Sequence, residues 1–119
     1  MASLSKGAAG EVLAARFLRD NGYELLAANY RCRLGEIDII ATDGAYIIFA
    51  EVKTRQADAR YLPREAVTSA KQQRIRATAM LYLRQHPTDL MLRFDVIEVT
   101  PVAGKPLVAQ EIQHLQNAF

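Results

Sequence analysis

The sequence contains no tryptophan and a single cysteine, Cys32. A lone thiol closes no internal disulfide, and without a second cysteine there is no zinc-knuckle spacing. The first ten residues also lack the continuous apolar core of a signal peptide. Together these features point to a reducing, cytoplasmic setting. No apolar run approaches the roughly 20 residues needed to cross a bilayer, so no membrane partner is expected. Aromatic residues make up 8% of the chain, which argues against reading single strands by base stacking. A formal net charge of +2 is too small to announce a nucleic acid by itself. No repeat, low-complexity tract or Pro/Gly-rich linker divides the chain. Its 119 residues therefore read as one domain, 1–119, with one modest core.

Half of the residues are hydrophobic and a quarter are charged, an ordinary globular composition. A first helix is expected over residues 5–20, stopped by Asn21-Gly22. An extended stretch over 23–31 follows. Two strands, 36–42 and 45–55, then meet at Asp43-Gly44, a strong hairpin signal. After a polar loop, Thr68 or Ser69 caps a second helix that runs to Gln85, where His86-Pro87 breaks it. Ile75, Ala79, Tyr82 and Leu83 form its apolar stripe. A strand over 90–100, a turn region over 101–106 and a weaker strand over 107–112 complete the order α-β-β-β-α-β-β. The expected class is α/β, a mixed sheet with helices on both faces.

A two-residue turn at Asp43-Gly44 would pair Thr42 with Ala45, setting Asp38 opposite Phe49 and Glu36 opposite Glu51. Side chains alternate with period two. Glu36, Asp38, Glu51 and Lys53 then share one face, and Ile37, Ile39, Ala41, Tyr46, Ile48, Ala50 and Val52 the other. Asp38 and Glu51 become diagonal neighbours, roughly 7 Å apart at Cβ, close enough to turn toward one divalent cation. Alternating charges on a hairpin are also an ordinary water-facing surface with weak ion pairs. Opposed carboxylates, however, are destabilising unless something neutralises them.

On the first helix, Leu4, Ala8, Ala15 and Leu18 form an apolar stripe with Glu11 in its middle. A carboxylate there either belongs to a site or escapes to an edge or an ion pair, for instance with Lys53 or Lys71. Lys71 extends the Ile75–Thr78–Tyr82 stripe of the second helix backward. Its stem can lie over the sheet while its ammonium reaches the acidic end.

Asp38 followed on the next strand by Glu51-Val52-Lys53 resembles the PD-(D/E)xK nuclease signature. Glu11 matches the first-helix acidic residue of many Holliday-junction resolvases in that superfamily. Gly10-Glu11, Gly22-Tyr23, Asn29-Tyr30-Arg31, Gly35-Glu36-Ile37-Asp38, Glu51-Val52-Lys53-Thr54-Arg55, Lys71 and Arg93-Phe94-Asp95 together resemble the YraN-type family of predicted endonucleases over nearly the whole chain. The resemblance implies a restriction-endonuclease-like fold. It also implies metal ligands Glu11, Asp38 and Glu51, and catalytic residues Asp38, Glu51 and Lys53. Ile37 stands where the superfamily's name has proline, and the loop at Tyr61-Leu62-Pro63 lacks a glycine common in the family. Carboxylates are hard oxygen ligands suited to Mg²⁺ or Mn²⁺. Such a metal acidifies bound water and neutralises charge on a phosphate, while Lys53 would orient the attacking water or stabilise the same charge.

Seven basic residues lie from Lys53 to Arg76 (Lys53, Arg55, Arg60, Arg64, Lys71, Arg74 and Arg76) against two acidic ones, Asp58 and Glu65, a local excess of five. Arg31 and Arg33 lie just before the hairpin. Arg31, Arg33, Arg55, Arg64, Lys71 and Arg74 are the expected DNA contacts, although an ordinary solvated helix could also carry Arg74 and Arg76. Cys32 with His86 or His114 gives no cysteine-hydrolase pattern, and both histidines read as surface residues. Arg93 and Asp95 read as a structural pair. The expectation is a Mg²⁺- or Mn²⁺-dependent DNA endonuclease, with branched DNA among its candidate substrates and no small-molecule cofactor. A homodimer is suggested by junction-cleaving relatives. A nucleic-acid-binding module without turnover is the alternative, and a purely structural domain would leave the basic excess unexplained.

Overall fold

The computed structural model describes residues 6–55, 67–101 and 110–119. Helix α1 (Lys6–Asp20) precedes strands β1 (Glu24–Cys32), β2 (Gly35–Thr42) and β3 (Tyr46–Thr54). Helix α2 (Ser69–Gln85) then leads to β4 (Met91–Pro101) and β5 (Gln110–Leu115). The five strands form one sheet in sequence order, antiparallel throughout except that β3 and β4 run parallel. The protein is thus mixed α/β, and its element order is the expected one. The last strand ends at Leu115 rather than at residue 112. The turn expected over 101–106, the loop at 61–63 and Leu4 lie wholly or largely outside the described residues.

Local chemistry sets the ends of the helices. Gly22, at φ +88°, lets α1 close in a Schellman motif. Tyr23 N–H donates to Leu18 O at 3.0 Å and Gly22 N–H to Arg19 O at 3.2 Å, and Leu18 and Tyr23 pack in one cluster. Thr68 is the N-cap of α2, its hydroxyl accepting from Lys71 N–H at 3.2 Å.

Each sheet face has its own core. Ile40, Ile47, Phe49, Phe94 and Val96 pack against Ile75, Ala79 and Tyr82 of α2. Ile39, Ala41, Ile48, Ala50, Ile97 and Val99 pack against Ala14 and Leu18 of α1. Burying each such Ile, Leu or Phe stabilises the fold by about 1.5–3 kcal/mol. The apolar stripe of α1 is rotated from its expected phase. Gly10, Ala14 and Leu18 are buried, while Ala8, Glu11 and Ala15 lie at the margin. Glu11 therefore flanks the core instead of interrupting it.

The hairpin also differs from expectation. Thr42 pairs with Ile47, not Ala45. The Asp43 carboxylate accepts from Ala45 N–H at 2.9 Å and Tyr46 N–H at 2.8 Å, so these donors close an Asx turn rather than a two-residue loop. The register moves by two, an even number, so β3 side chains keep their faces. Ile37 is the exception. It packs with Ile40 on the α2 side, and Ala27 and Tyr30 of β1 do likewise. Positions three apart in a strand share a face only if the alternation breaks between them. The break lies at Asn29, whose φ is +52°, between the Ala28–Ile39 and Tyr30–Ile37 pairs. A left-handed residue there rotates the side chains that follow it.

Gly10 lies so close to β3 that a Cβ would overlap Thr54 Oγ1. Gly→Ala inside a helix ordinarily gains roughly 0.5–1 kcal/mol. Gly10→Ala should instead lose about 1–3 kcal/mol through overpacking, and Thr54→Ala should restore much of it. A denaturant double-mutant cycle measures this coupling, and additive effects would show that α1 does not sit against Thr54.

Candidate functional site

Asp38 stands where the β2–β3 ladder ends. Ile39 and Ala50 are the last paired residues, and beyond them Val52 N–H donates to Asp38 Oδ2 at 2.8 Å. Extending the register by one residue sets Asp38 directly across from Glu51, closer than the diagonal arrangement expected. Because Asp38 lies at the break in alternation, it borders two clefts. One, of about 210 Å³, is shared with Glu36, Glu51, Lys71 and Arg74 on the α2 side. The other, also about 210 Å³, is shared with Glu11 and Asn29 on the α1 side.

Glu51 is buried, and its Oε1 takes two ammonium groups, Lys71 Nζ at 2.5 Å and Lys53 Nζ at 3.3 Å. Asn29, with its amide nitrogen turned toward the acids, donates to Glu11 Oε2 at 3.0 Å and Glu36 Oε1 at 3.2 Å. Burial, then the charge of Glu51, pushes the Asp38 carboxyl up to about 7. Glu11 and Glu36 add to the rise and the Val52 hydrogen bond opposes it. Burial and the neighbouring Lys71 lower the Lys53 pKa against the pull of Glu51. Burial acts on Lys71 in the same sense, but its hydrogen bond to Glu51 and the charges of Glu51 and Asp38 outweigh it, and the Lys71 pKa is raised. Two adjacent lysines are thus driven apart, one toward giving up its proton and one toward keeping it.

A divalent cation suits this donor set. The oxygens are hard ligands, and the repulsion that lifts Asp38 is what a cation would relieve. Among the described residues, no three His, Cys, Asp or Glu side chains converge as a ready metal cage. Glu51, the central donor, is already bound to lysines.

Glu11, Asp38, Glu51 and Lys53, the four residues that the sequence proposed for the chemistry, come from three elements to this one region. Lys71, expected among the DNA contacts, points into it. Arg74 is exposed and lines the α2-side cleft. Arg33 is exposed in the β1–β2 turn. Arg31 is exposed and pairs with Glu36 at 3.1 Å. Arg55 corrects its expected role as a phosphate contact. It is buried, with Nε 2.6 Å from Glu98 Oε2, so its charge is spent inside the fold. Arg60 and Arg64 lie outside the described residues.

The structural pair Arg93–Asp95 is present, with Arg93 Nε 2.9 Å from Asp95 Oδ1. His114 was expected at the surface. Its ring instead meets Asp95 Oδ2 at 2.6 Å, beneath Phe17 and Tyr23. Asn29 was overlooked as a site residue. Its sequence signal is an asparagine, a residue that tolerates the left-handed region, inside the apolar run from Leu25 to Tyr30.

The described chain is thus a mixed α/β protein with a carboxylate–lysine site at the frayed end of its central hairpin. A family model described as "Uncharacterised protein family UPF0102" matches residues 10–99, a span that takes in Glu11, Asp38, Glu51, Lys53 and Lys71. The UPF0102 protein of Nocardia farcinica is 48% identical over 114 residues, covering 95% of this chain and 87% of the relative. That of Alkaliphilus oremlandii is 48% identical over 116 residues, covering 95% and 96%. The chain belongs to the UPF0102 family, the YraN-type family whose motifs it carries. No helix among the described residues is long and apolar enough to cross a membrane.

The raised Asp38 pKa has a definite sign. Folding favours the protonated acid, so this stabilisation is complete below about pH 4 and is lost as pH rises through about 7. Asp38→Asn keeps an acceptor for Val52 N–H and removes the charge. With a chelator present, its melting temperature should exceed the wild type's by roughly 5–10 °C at pH 8, and the gap should close below pH 5. A gap of equal size at both pH values would refute the repulsion. Arg55→Ala should cost roughly 3–5 kcal/mol by leaving buried Glu98 unpaired. Chemical denaturation measures that loss, and a change under 1 kcal/mol would return Arg55 to the surface.

Proposed function

We propose that this protein is a restriction-endonuclease-like, PD-(D/E)xK-type enzyme that uses Mg²⁺ or Mn²⁺ to hydrolyse DNA phosphodiesters, with branched DNA among its substrates. The observation that carries the reading is the approach of Asp38 and Glu51 across the frayed ladder end, beside Glu11 and between two lysines of opposite pKa tendency. Glu11, Asp38 and Glu51 would hold the metal. When bound, the metal would acidify a water and neutralise charge on the phosphate.

The chain's own side chains divide the remaining work. Lys71 stays charged and stabilises the negative charge that grows on the phosphate oxygens. Lys53, 3.3 Å from Glu51, orients the attacking water or stabilises the same charge, and the water's proton passes to solvent. The water oxygen forms the new bond to phosphorus, the bridging P–O bond breaks, and its oxygen takes a proton from solvent, so that the cut ends carry a phosphate and a hydroxyl. Arg74 and Arg33 hold the backbone without reading its bases.

One observation favours a binding module without turnover: Glu51 is already neutralised by lysines, and no three-ligand cage exists among the described residues. Cleavage of single-stranded, duplex and branched DNA with Mn²⁺ decides between them. For the enzyme, Glu51→Gln abolishes cleavage with the fold intact, and Lys53→Met lowers kcat by at least about 100-fold with a smaller change in KM. Wild-type protein that cuts none of these DNAs with either metal would leave the binding module standing. In both readings Arg74→Gln should shallow the salt dependence of DNA affinity by about one phosphate equivalent. An unchanged slope would assign Arg74 to the solvated helix surface.

A further inference from the structure

The α2-side cleft contains an arrangement that neither lysine explains alone. Lys53 and Lys71 share one oxygen of a buried glutamate, but they are held differently. Lys53 is fixed to a central strand, whereas Lys71 reaches down from the first turn of α2 with its side chain 39% exposed. An ammonium 2.5 Å from Glu51 Oε1 occupies the position at which a cation would approach that oxygen. Arg74, less than one turn further along α2, lines the same cleft. A Lys71 side chain that left Glu51 would thus move toward another cation, which is unfavourable unless an anion lies between them.

We propose that Lys71 stands in for the divalent cation at Glu51 until a DNA phosphate draws it toward Arg74, so that cation and DNA bind with positive cooperativity. This rests on the metal-site reading above and adds a coupling to it. The phosphate offers Lys71 a new partner, Glu51 Oε1 is released, and the cation takes the vacated oxygen. Linkage makes the effect reciprocal: DNA tightens cation binding by the factor by which the cation tightens DNA binding. In this scheme Lys71 also governs when Glu51 is free, in addition to its contact with the phosphate.

The test uses Ca²⁺, which binds carboxylate oxygens while supporting little turnover. Calorimetry gives its affinity for the DNA-free chain. Fluorescence anisotropy gives the affinity for a labelled branched DNA with and without Ca²⁺ at matched ionic strength. In wild type, Ca²⁺ should tighten DNA binding about tenfold or more. Lys71→Met should bind Ca²⁺ about tenfold more tightly without DNA and reduce the Ca²⁺ effect on DNA affinity below about threefold. Lys71→Gln, which keeps a hydrogen-bond donor for Glu51, should move both quantities the same way and guards against a misfolded variant. Arg74→Gln removes the same charge from the same cleft but not from Glu51, and should shift Ca²⁺ affinity less than about threefold. If Lys71→Met binds Ca²⁺ no more tightly than wild type, or no more tightly than Arg74→Gln does, the coupling is overturned while the metal site stands. If neither wild type nor Lys71→Met binds Ca²⁺ or Mn²⁺, the metal site falls as well.

Discussion

Asp38 and Glu51 face one another across the end of an antiparallel ladder, and like charges so placed repel. Most of what surrounds them answers that repulsion. The β2–β3 ladder ends at Ile39–Ala50, four residues short of the start of β2 at Gly35, and the Asp38 carboxylate takes Val52 N–H just beyond it. Lysines from β3 and α2 converge on Glu51. An asparagine amide from β1 faces the two outer acids, Glu11 and Glu36. The compensations come from β1, β3 and α2, and α1 adds the acid Glu11, so the sheet and both helices are tied to one electrostatic problem.

The elements were legible because their signals are short-ranged: a glycine after the last helical turn, a threonine cap, apolar runs with period two. The pairing of Asp38 with Glu51 was legible for a less secure reason. The turn at Asp43 is two residues longer than Asp-Gly implies, since nothing in the dipeptide announces that its carboxylate will capture two backbone donors. An even error leaves β3 side chains on the correct face, and an odd one would have separated the acids. The phase of α1 was misread because alanines at Ala8 and Ala15 fit a core face and a margin equally well. Arg55 and His114 were misplaced for a shared reason. Both find buried carboxylate partners on β4, Glu98 and Asp95, more than 15 residues away in the chain, and a sequence pattern does not express such pairings.

Below the α1 face a second set of charges is resolved differently. Asp95 is fully buried and accepts from Arg93 Nε and Nη2, from Asn117 N–H and from the His114 ring, while Arg93 Nη2 also donates to the Tyr23 hydroxyl. Burial alone would raise the Asp95 carboxyl, but these donors outweigh it and hold it below its ordinary value. The network fastens β4 to β5 and the C-terminal turn. Asp38 and Asp95 thus sit on neighbouring parts of one sheet with opposite tendencies, because one has neighbours that repel it and the other has donors on every side. Strained charge is confined to the cleft, and satisfied charge serves as a clasp.

The left-handed Asn29 has a further effect on strand β1. Among the described residues that strand is an outer edge of the sheet, and no neighbouring strand pairs with its outer row of backbone donors and acceptors. A regular edge is a template on which another chain can add itself. Here the rhythm is broken twice, by the register shift between Leu25 and Ala27 and by the reversed backbone at Asn29. An incoming strand would find only two or three successive groups in phase before the spacing failed. The twist that aims an amide at the acidic cluster therefore also makes this margin a poor seed for aggregation.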